Sequence, residues 1–473
     1  MNLILGGKAT TGAGEFEVLN PYDGSVVDHV ASADESLVDQ AIGLACRVQP
    51  EVARLTRAER SSILSKVSQG LSASRDDLAL LLAREVGKTR REALIEVERA
   101  SNTFAWAAEE AKRIAGEVIP FDAMRAGAGR RGFAFRVPAG PVAAITPFNF
   151  PLNLAAHKVA PAIAAGNPFI LKPASKTPLT DLVLGRLVLE AGFPPEAASV
   201  LPGAGEKVGM ALARDPRLRV ITFTGSAPVG KRIAREAGLK RTIMELGSNS
   251  AVVVSISADL EGAAKRIVQG AFALAGQVCI SVQRVLVEAP VFDKLVALIE
   301  EEASRLKVGD QMDEATDVGP MISEDAAERL ALWISEARAA GARVRLGATH
   351  RGTLFDPTVL THVPAEARVW RDEAFGPVVC INAAGSFREA LDAVNRSSFG
   401  LQAGVFTDSV AQAFEAIDRL EVGGVIINDI PAFRLDHMPY GGVKDSGLGR
   451  EGVKYAIEEM TEVKLVCFNL GHS

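Results

Sequence analysis

The sequence predicts a mixed α/β fold: a doubly wound parallel sheet, a second α/β unit in series with it, and a small β arm. Three observations carry this reading. From residue 140 short apolar runs alternate with helical segments; a second alternation starts at "SAVVVSIS"; and two apolar, aromatic-bearing segments fit neither unit.

The elements follow in order. The first hundred residues read as an extended lead-in and then helices. In "LTRAERSSILSKVSQGL", Thr56 and Glu59 stand at capping-box spacing, and Ile63, Leu64, Val67 and Leu71 share one helical stripe. A longer helical region, "DDLALLLAREVGKTRREALIEVERASNTFAWAAEEAKRI", carries charges that read as a solvated face. "GPVAAITPFNF" is a strand and turn, and Pro151 opens the next helix. "FILKP", "ASVLPG" and "VITFTG" are further strands with helices between them, one from about Thr180 to Ala191. The second unit contributes the strands "SAVVVSIS", "RVLVEA", "PVVCINAA" and "GGVIIN". "EVIPFDAMRAGAGRRGFAFRVPAG" and "KLVCFNLGHS" remain for the arm. Sheets of this kind bind ligands beyond the carboxyl ends of their strands, which directs attention to the residues there.

Composition narrows the function. The chain has 473 residues, 48% hydrophobic and 23% charged, as in an ordinary folded globular protein. Its net charge of -6 comes from interleaved charges without a basic stripe, so neither nucleic acid nor a membrane surface is an expected partner. The amino terminus lacks the pattern of a signal peptide and no run is long and apolar enough to span a bilayer, which points to the cytoplasm. Four dispersed cysteines and six unclustered histidines predict neither a disulfide framework nor a metal site.

Individual motifs stay ambiguous. "GAGEKVG" has the wrong spacing and place for a dinucleotide fingerprint and reads as a tight strand-to-helix turn. In "FTGSAPVG" a strand runs into a helix whose first turn holds Gly225 and Ser226, with free N–H groups suited to a pyrophosphate. Lys172 ends a strand, where it can reach a ligand or simply face solvent. Asn149 can donate to an oxyanion or cap the helix behind it. Glu245 ends an apolar strand, so it either has a partner or has a raised pKa that suits a general base. Cys279, in "LAGQVCISVQRV", is core filler or a nucleophile.

Taken in order, "TPFNFP", "LKPAS", "FTGS", "MELGS", "GQVC", "DEAFGPV" and "MPYGGVKDSGLGREG" resemble the aldehyde dehydrogenase superfamily across nearly the whole chain. The resemblance implies a Rossmann-like cofactor-binding domain without the usual glycine fingerprint, an α/β catalytic domain and a small β oligomerisation arm. It places the cofactor-binding domain at 1–118 and 137–245 with a return at 428–455, the catalytic domain at 246–427, and the arm at 119–136 and 456–473. It implies that Cys279 attacks the aldehyde to give a thiohemiacetal, that Asn149 and the Cys279 N–H hold the alkoxide, and that hydride transfer to nicotinamide leaves a thioester. Glu245 matches the base that activates water, which favours a free carboxylic acid over an acyl-CoA product. Lys172 matches an adenosine-ribose ligand, Gly225 and Ser226 the pyrophosphate helix, and Glu373 the nicotinamide-ribose ligand, with Leu246 and Phe375 beside the ring.

Departures from the family pattern bear on specificity. Ser175, followed by Lys176, stands where many NAD-specific members carry a glutamate that repels a 2′-phosphate, so NADP or dual use is favoured over NAD alone. Val278 replaces the arginine that relatives acting on phosphorylated aldehydes often place there. Arg434, in "PAFRLDHMPY", and Arg99 point instead to a small polar or acidic aldehyde of lactaldehyde, glyceraldehyde or semialdehyde type, unless both make ordinary salt bridges. The competing expectations are a CoA-acylating or esterase-like member and a non-catalytic protein of the same fold. The arm implies a homo-oligomer, a dimer or a tetramer.

Overall fold

The structure, a computed structural model, describes residues 1–471. His472 and Ser473, at the end of the expected arm, lie outside the described residues.

An eight-stranded sheet occupies the first unit, in the order Lys8–Thr10, Leu3–Leu5, Ala198–Val200, Phe169–Lys172, Val142–Ile145, Val220–Thr224, Arg241–Glu245, Gly447–Leu448. The five central strands are parallel, and the edge pairings are antiparallel. Chain order reverses between Val142–Ile145 and Val220–Thr224, which makes the crevice beyond their carboxyl ends the topological switch point. Along the first of these strands Val142 and Ala144 belong to one core and Ala143 and Ile145 to another, so the period-two alternation feeds cores on both faces of the sheet. Burying each Val or Ile in these runs is worth about 1.5–3 kcal/mol.

A seven-stranded sheet forms the second unit, in the order Arg343–Leu346, Thr358–Thr361, Val378–Ala384, Arg284–Glu288, Ala251–Val254, Gln402–Phe406, Gly424–Ile427, antiparallel only at its Arg343–Leu346 edge. It has its own continuous core, running from Ala251 to Ile430.

The helices follow their capping signals. Thr56 and Glu59 form the expected reciprocal box, and Ile63, Leu64, Val67 and Leu71 are buried behind it. A second box, Thr89 with Glu92, opens the helix Arg90–Arg113. Pro151 starts the helix Pro151–Ala165, which is buried along its whole length and passes under the switch point.

The two leftover segments differ from expectation in their limits. Strand Arg130–Pro138 extends past 136, a short strand Glu117–Val118 precedes 119, and 456–459 belong to the helix Val453–Glu459. Within the chain they pair with each other, from Thr461↔Pro138 to Asn469↔Arg130. Among the described residues no helix is long and apolar enough to cross a membrane, and no His, Cys, Asp and Glu group is arranged to hold a metal ion.

Candidate active site

Between the two units lies a cavity of about 780 Å³. Its wall brings together Asn149, Gly225, Ser226, Glu245, Leu246, Cys279, Glu373, Phe375 and Arg434, which are spread over almost three hundred residues of chain. Lys172 and Ser175 are not in this wall.

Cys279 hangs from an unusual loop. The helix Leu260–Phe272 ends, and Leu274, Ala275 and Gly276 then adopt φ of 50°, 50° and 68° before the strand Arg284–Glu288 begins. Gly276 suits this turn because a Cβ there would stand 2.1 Å from the Gly376 carbonyl oxygen. Leu274 and Ala275 store about 1–3 kcal/mol of strain each, which surrounding bonds must hold. Those bonds are present: Glu92 accepts the Leu274 N–H at 2.7 Å, and the Gln277 side chain donates to the Leu274 carbonyl at 3.1 Å and accepts from Ile322 N–H at 2.9 Å. The loop aims Sγ at the cavity. Burial lifts the Cys279 thiol to about 11, against a lowering hydrogen bond with Tyr440.

Asn149 does not cap the helix behind it, because Phe150 takes that position. Its Nδ2 donates to the Gln277 carbonyl at 2.8 Å, two residues before Cys279, which leaves the second amide hydrogen available to the cavity. The Asn149 carbonyl accepts from Lys88 Nζ at 2.9 Å; Lys88 is itself buried, paired with Glu96.

Glu245 ends its strand with both carboxylate oxygens buried and unpartnered. Burial, then the nearby Glu451 charge, pushes its pKa well above the ordinary carboxylate value, while Arg434, Lys158 and Arg450 oppose the shift. Glu451 behaves oppositely. Burial would raise it, but Lys158 at 2.7 Å and Arg434 at 3.1 Å hold it ionised, at about 2. Two neighbouring carboxyls are thus pushed apart, one towards its protonated form and one fixed as an anion.

Glu373 lies across the cavity, accepting from Ser248 N–H at 2.8 Å, and burial raises it to about 7. Gly247 is required for this approach, since a Cβ there would be 2.4 Å from Glu373 Oε2. Phe375 meets Phe148 edge-on at 5.7 Å. Arg329, also in the wall, donates to the Ala374 carbonyl at 2.8 Å and lies over Trp333.

Several expectations need correction in detail. Gly225 and Ser226 precede the helix Ala227–Ala237, with Ser226 as its cap, and the Gly225 N–H is already given to the Glu245 carbonyl at 3.0 Å. The amides free to meet an anion are those of the first helical turn, Pro228 contributing none. Lys172 is turned inward, donating to the Pro173 carbonyl at 2.8 Å and lowered by burial to about 8. Ser175 donates to the Gly203 carbonyl at 2.9 Å and, with Lys176, borders a separate crevice of about 730 Å³. Arg99 is committed to Asp436 through 2.7 and 3.2 Å bonds, so its ordinary salt-bridge reading stands. Arg434 pairs with Glu451 yet keeps an unpartnered, buried Nε.

Tyr440, Glu451, Lys158, Gln277 and Arg329 complete the site and were not singled out from the sequence. Lys158 carried a signal: a lysine amid the apolar helix "LNLAAHKVAPAIAA" must find a buried partner. A dinucleotide fits the residues present, with the start of a helix and the Glu373 carboxylate both in the wall and Gly247 where a side chain would intrude on that carboxylate.

The chain matches the model of the aldehyde dehydrogenase family over residues 8–466. It is 45% identical over 468 residues to a 3-sulfolactaldehyde dehydrogenase from Priestia aryabhattai, covering 99% of this chain and 98% of that protein. Its fold superposes with a TM-score of 0.97 on aldehyde dehydrogenase 21 from Physcomitrella patens in complex with the reaction product succinate, at 41% identity over 99% of this chain and 98% of that one. It also superposes, with a TM-score of 0.93 and 38% identity over 96% and 99% of the two chains, on glyceraldehyde-3-phosphate dehydrogenase GapN from Methanocaldococcus jannaschii complexed with NADP.

Proposed function

The chain belongs to the aldehyde dehydrogenase family and is an NAD(P)-dependent aldehyde dehydrogenase, and from that premise we propose that it oxidises a small anionic aldehyde to the carboxylic acid, with Cys279 as nucleophile. Sγ adds to the aldehyde carbon, and the carbonyl oxygen becomes an alkoxide that the free Asn149 amide hydrogen and the Cys279 N–H receive. Bound NAD or NADP supplies the hydride acceptor. Glu245 then takes a proton from water as its oxygen attacks the Cys279 thioester, and the thiolate departs. Gln277 ties the oxyanion donor to the nucleophile's loop, so the two keep their spacing.

Cofactor contacts are assigned to the helix after Ser226, to Leu246, Glu373 and Phe375 around the nicotinamide end, and to Lys172 and Ser175 at the adenosine end, where Lys172 would have to turn outward. Residues 1–118, 137–245 and 428–455 are assigned to cofactor binding and 246–427 to catalysis, a reading supported by the separate sheets of the two units.

The observation that carries the substrate is charge. Arg434, in the cavity wall with Cys279, shares the single ionised carboxylate of Glu451 with Lys158, while Glu245 leans to its neutral form, so the guanidinium charge facing the cavity is only partly offset. A buried guanidinium so placed is stabilised by a ligand anion. The sulfonated and carboxylated small molecules named for the relatives agree with this reading. A steady-state comparison of a four-carbon semialdehyde with butanal, each with NAD and with NADP, tests it. The semialdehyde is expected to have kcat/KM higher by about 10²-fold; equal values would overturn the anionic substrate.

For the cofactor, Ser175→Glu is expected to weaken NADP relative to NAD by about 10-fold, because a carboxylate repels the 2′-phosphate. An unchanged ratio of KM values would show that the ribose is read elsewhere.

We assign the arm to self-association. Val118, Met124, Val463, Leu465, Phe468 and Leu470 are exposed apolar residues on its short segments, more than a monomer ordinarily leaves to water. Light scattering of the purified chain decides between dimer and tetramer, and a monomer would refute the assignment.

A further inference from the structure

Given Cys279 as the nucleophile, we propose that Tyr440 is a catalytic donor at the reacting sulfur: its hydroxyl hydrogen-bonds the Cys279 thiolate and governs how readily the thiol ionises. Tyr440 Oη lies 3.1 Å from Sγ. The ring is buried with Ile280 and Leu401 in a small apolar cluster against Val278 and Cys279.

Tyr440 is fixed from two directions. Its N–H donates to the Glu451 carbonyl at 3.0 Å and its carbonyl accepts from Glu451 N–H at 2.7 Å. The Glu451 side chain in turn holds Arg434, whose guanidinium carbon lies 3.7 Å from the centre of the Tyr440 ring. One residue therefore sets both the phenol and the cation stacked on it. The hydroxyl is pre-placed and loses little freedom when the sulfur becomes charged.

The direction of the effect follows from proton counting. Between a thiol and a phenol either atom can donate, so the contact is indifferent to sense. Once Sγ has lost its proton only Oη–H can donate, and the bond becomes charge-assisted, shorter and stronger. The contact thus favours thiolate over thiol. Arg434 on the ring face draws density from the phenol and adds a positive charge near the sulfur. The groups facing Sγ are Tyr440, Arg434, Glu373 and Glu245; the first two aid ionisation, and the two carboxylates and burial oppose it. The thiol proton passes to water in the cavity, and Tyr440 keeps its own.

The test is the pH dependence of Cys279 alkylation by iodoacetamide in the cofactor-free enzyme, followed by peptide mapping, in the wild type and in Tyr440→Phe. Phenylalanine keeps the ring beneath Arg434 and removes only the donor. The midpoint for Cys279 is expected to rise by about one unit, leaving about tenfold less thiolate at any pH below it. An unchanged or lowered midpoint would overturn the role and leave Tyr440 as cavity wall. The two readings fail separately: if Cys279→Ala kept its turnover the nucleophile assignment would fall, whereas the alkylation midpoint would still report whether Tyr440 acts on that sulfur.

Discussion

Cys279→Ala is expected to lower aldehyde oxidation by about 10⁴-fold or more, while cofactor binding persists. The magnitude reflects what the residue supplies. Without Sγ the aldehyde has to be captured by water, no thiohemiacetal forms, and the oxyanion donors at Asn149 and the Cys279 backbone have nothing held at bonding distance. Alanine preserves the small volume next to Val278 and Tyr440 and removes only the sulfur, so the fold should be unaffected. Reduced-nicotinamide absorbance reports turnover and protein fluorescence reports cofactor binding. Persistence of turnover would refute the nucleophile; loss of both signals would point to a collapsed cavity instead.

Glu245→Gln should separate the two halves of the reaction. A burst of about one reduced cofactor per active chain is expected, followed by a steady rate about 10²- to 10⁴-fold below the wild type, since the amide cannot take a proton from water. Rapid mixing with absorbance detection resolves the two phases. An unimpaired steady state would refute the assigned base. The pH dependence has a definite sign. The carboxyl works as a base only when ionised and its pKa is raised by burial, so wild-type hydrolysis should increase as pH climbs through a midpoint above the ordinary carboxylate value of 4.5, and the variant should lack that limb.

Much of this was visible in the sequence because its signals are local. "VAAI", "FILK" and "VITFT" are short apolar runs that form central strands, and the last ends at Thr224 in the cavity wall. The capping box at Thr56 and the helix opened by Pro151 depend on neighbours a few positions apart. What stayed hidden depends on distant partners. Tyr440 is 161 residues from Cys279, and Glu451 is 293 from Lys158, so no window along the chain shows either pair. The Gly225 amide looked free because the carbonyl that takes it belongs to the next strand of the sheet, at Glu245. Lys172 was read by its place at a strand end, whereas its rotamer answers to the Pro173 carbonyl and the burial around it. The arm's limits were blurred for a related reason: its strands are defined by their pairing with each other, not by composition.

The strand Gly447–Leu448 closes the edge of the first sheet against Met244 and Glu245, and the stretch from Arg434 to Glu451 supplies the cation, the phenol and the ionised carboxylate of the cavity. On a ribosome these residues follow every other residue of the cavity wall. A nascent chain can carry the core of the second unit while still holding an inert Cys279 and an edge of sheet left open beside Glu245, whereas the first unit's core also draws on Val453, Ile457 and Met460. Chemical competence arrives when this segment docks back across the first sheet. Until then the reactive sulfur lacks the partners that would let it meet electrophiles in the surrounding medium.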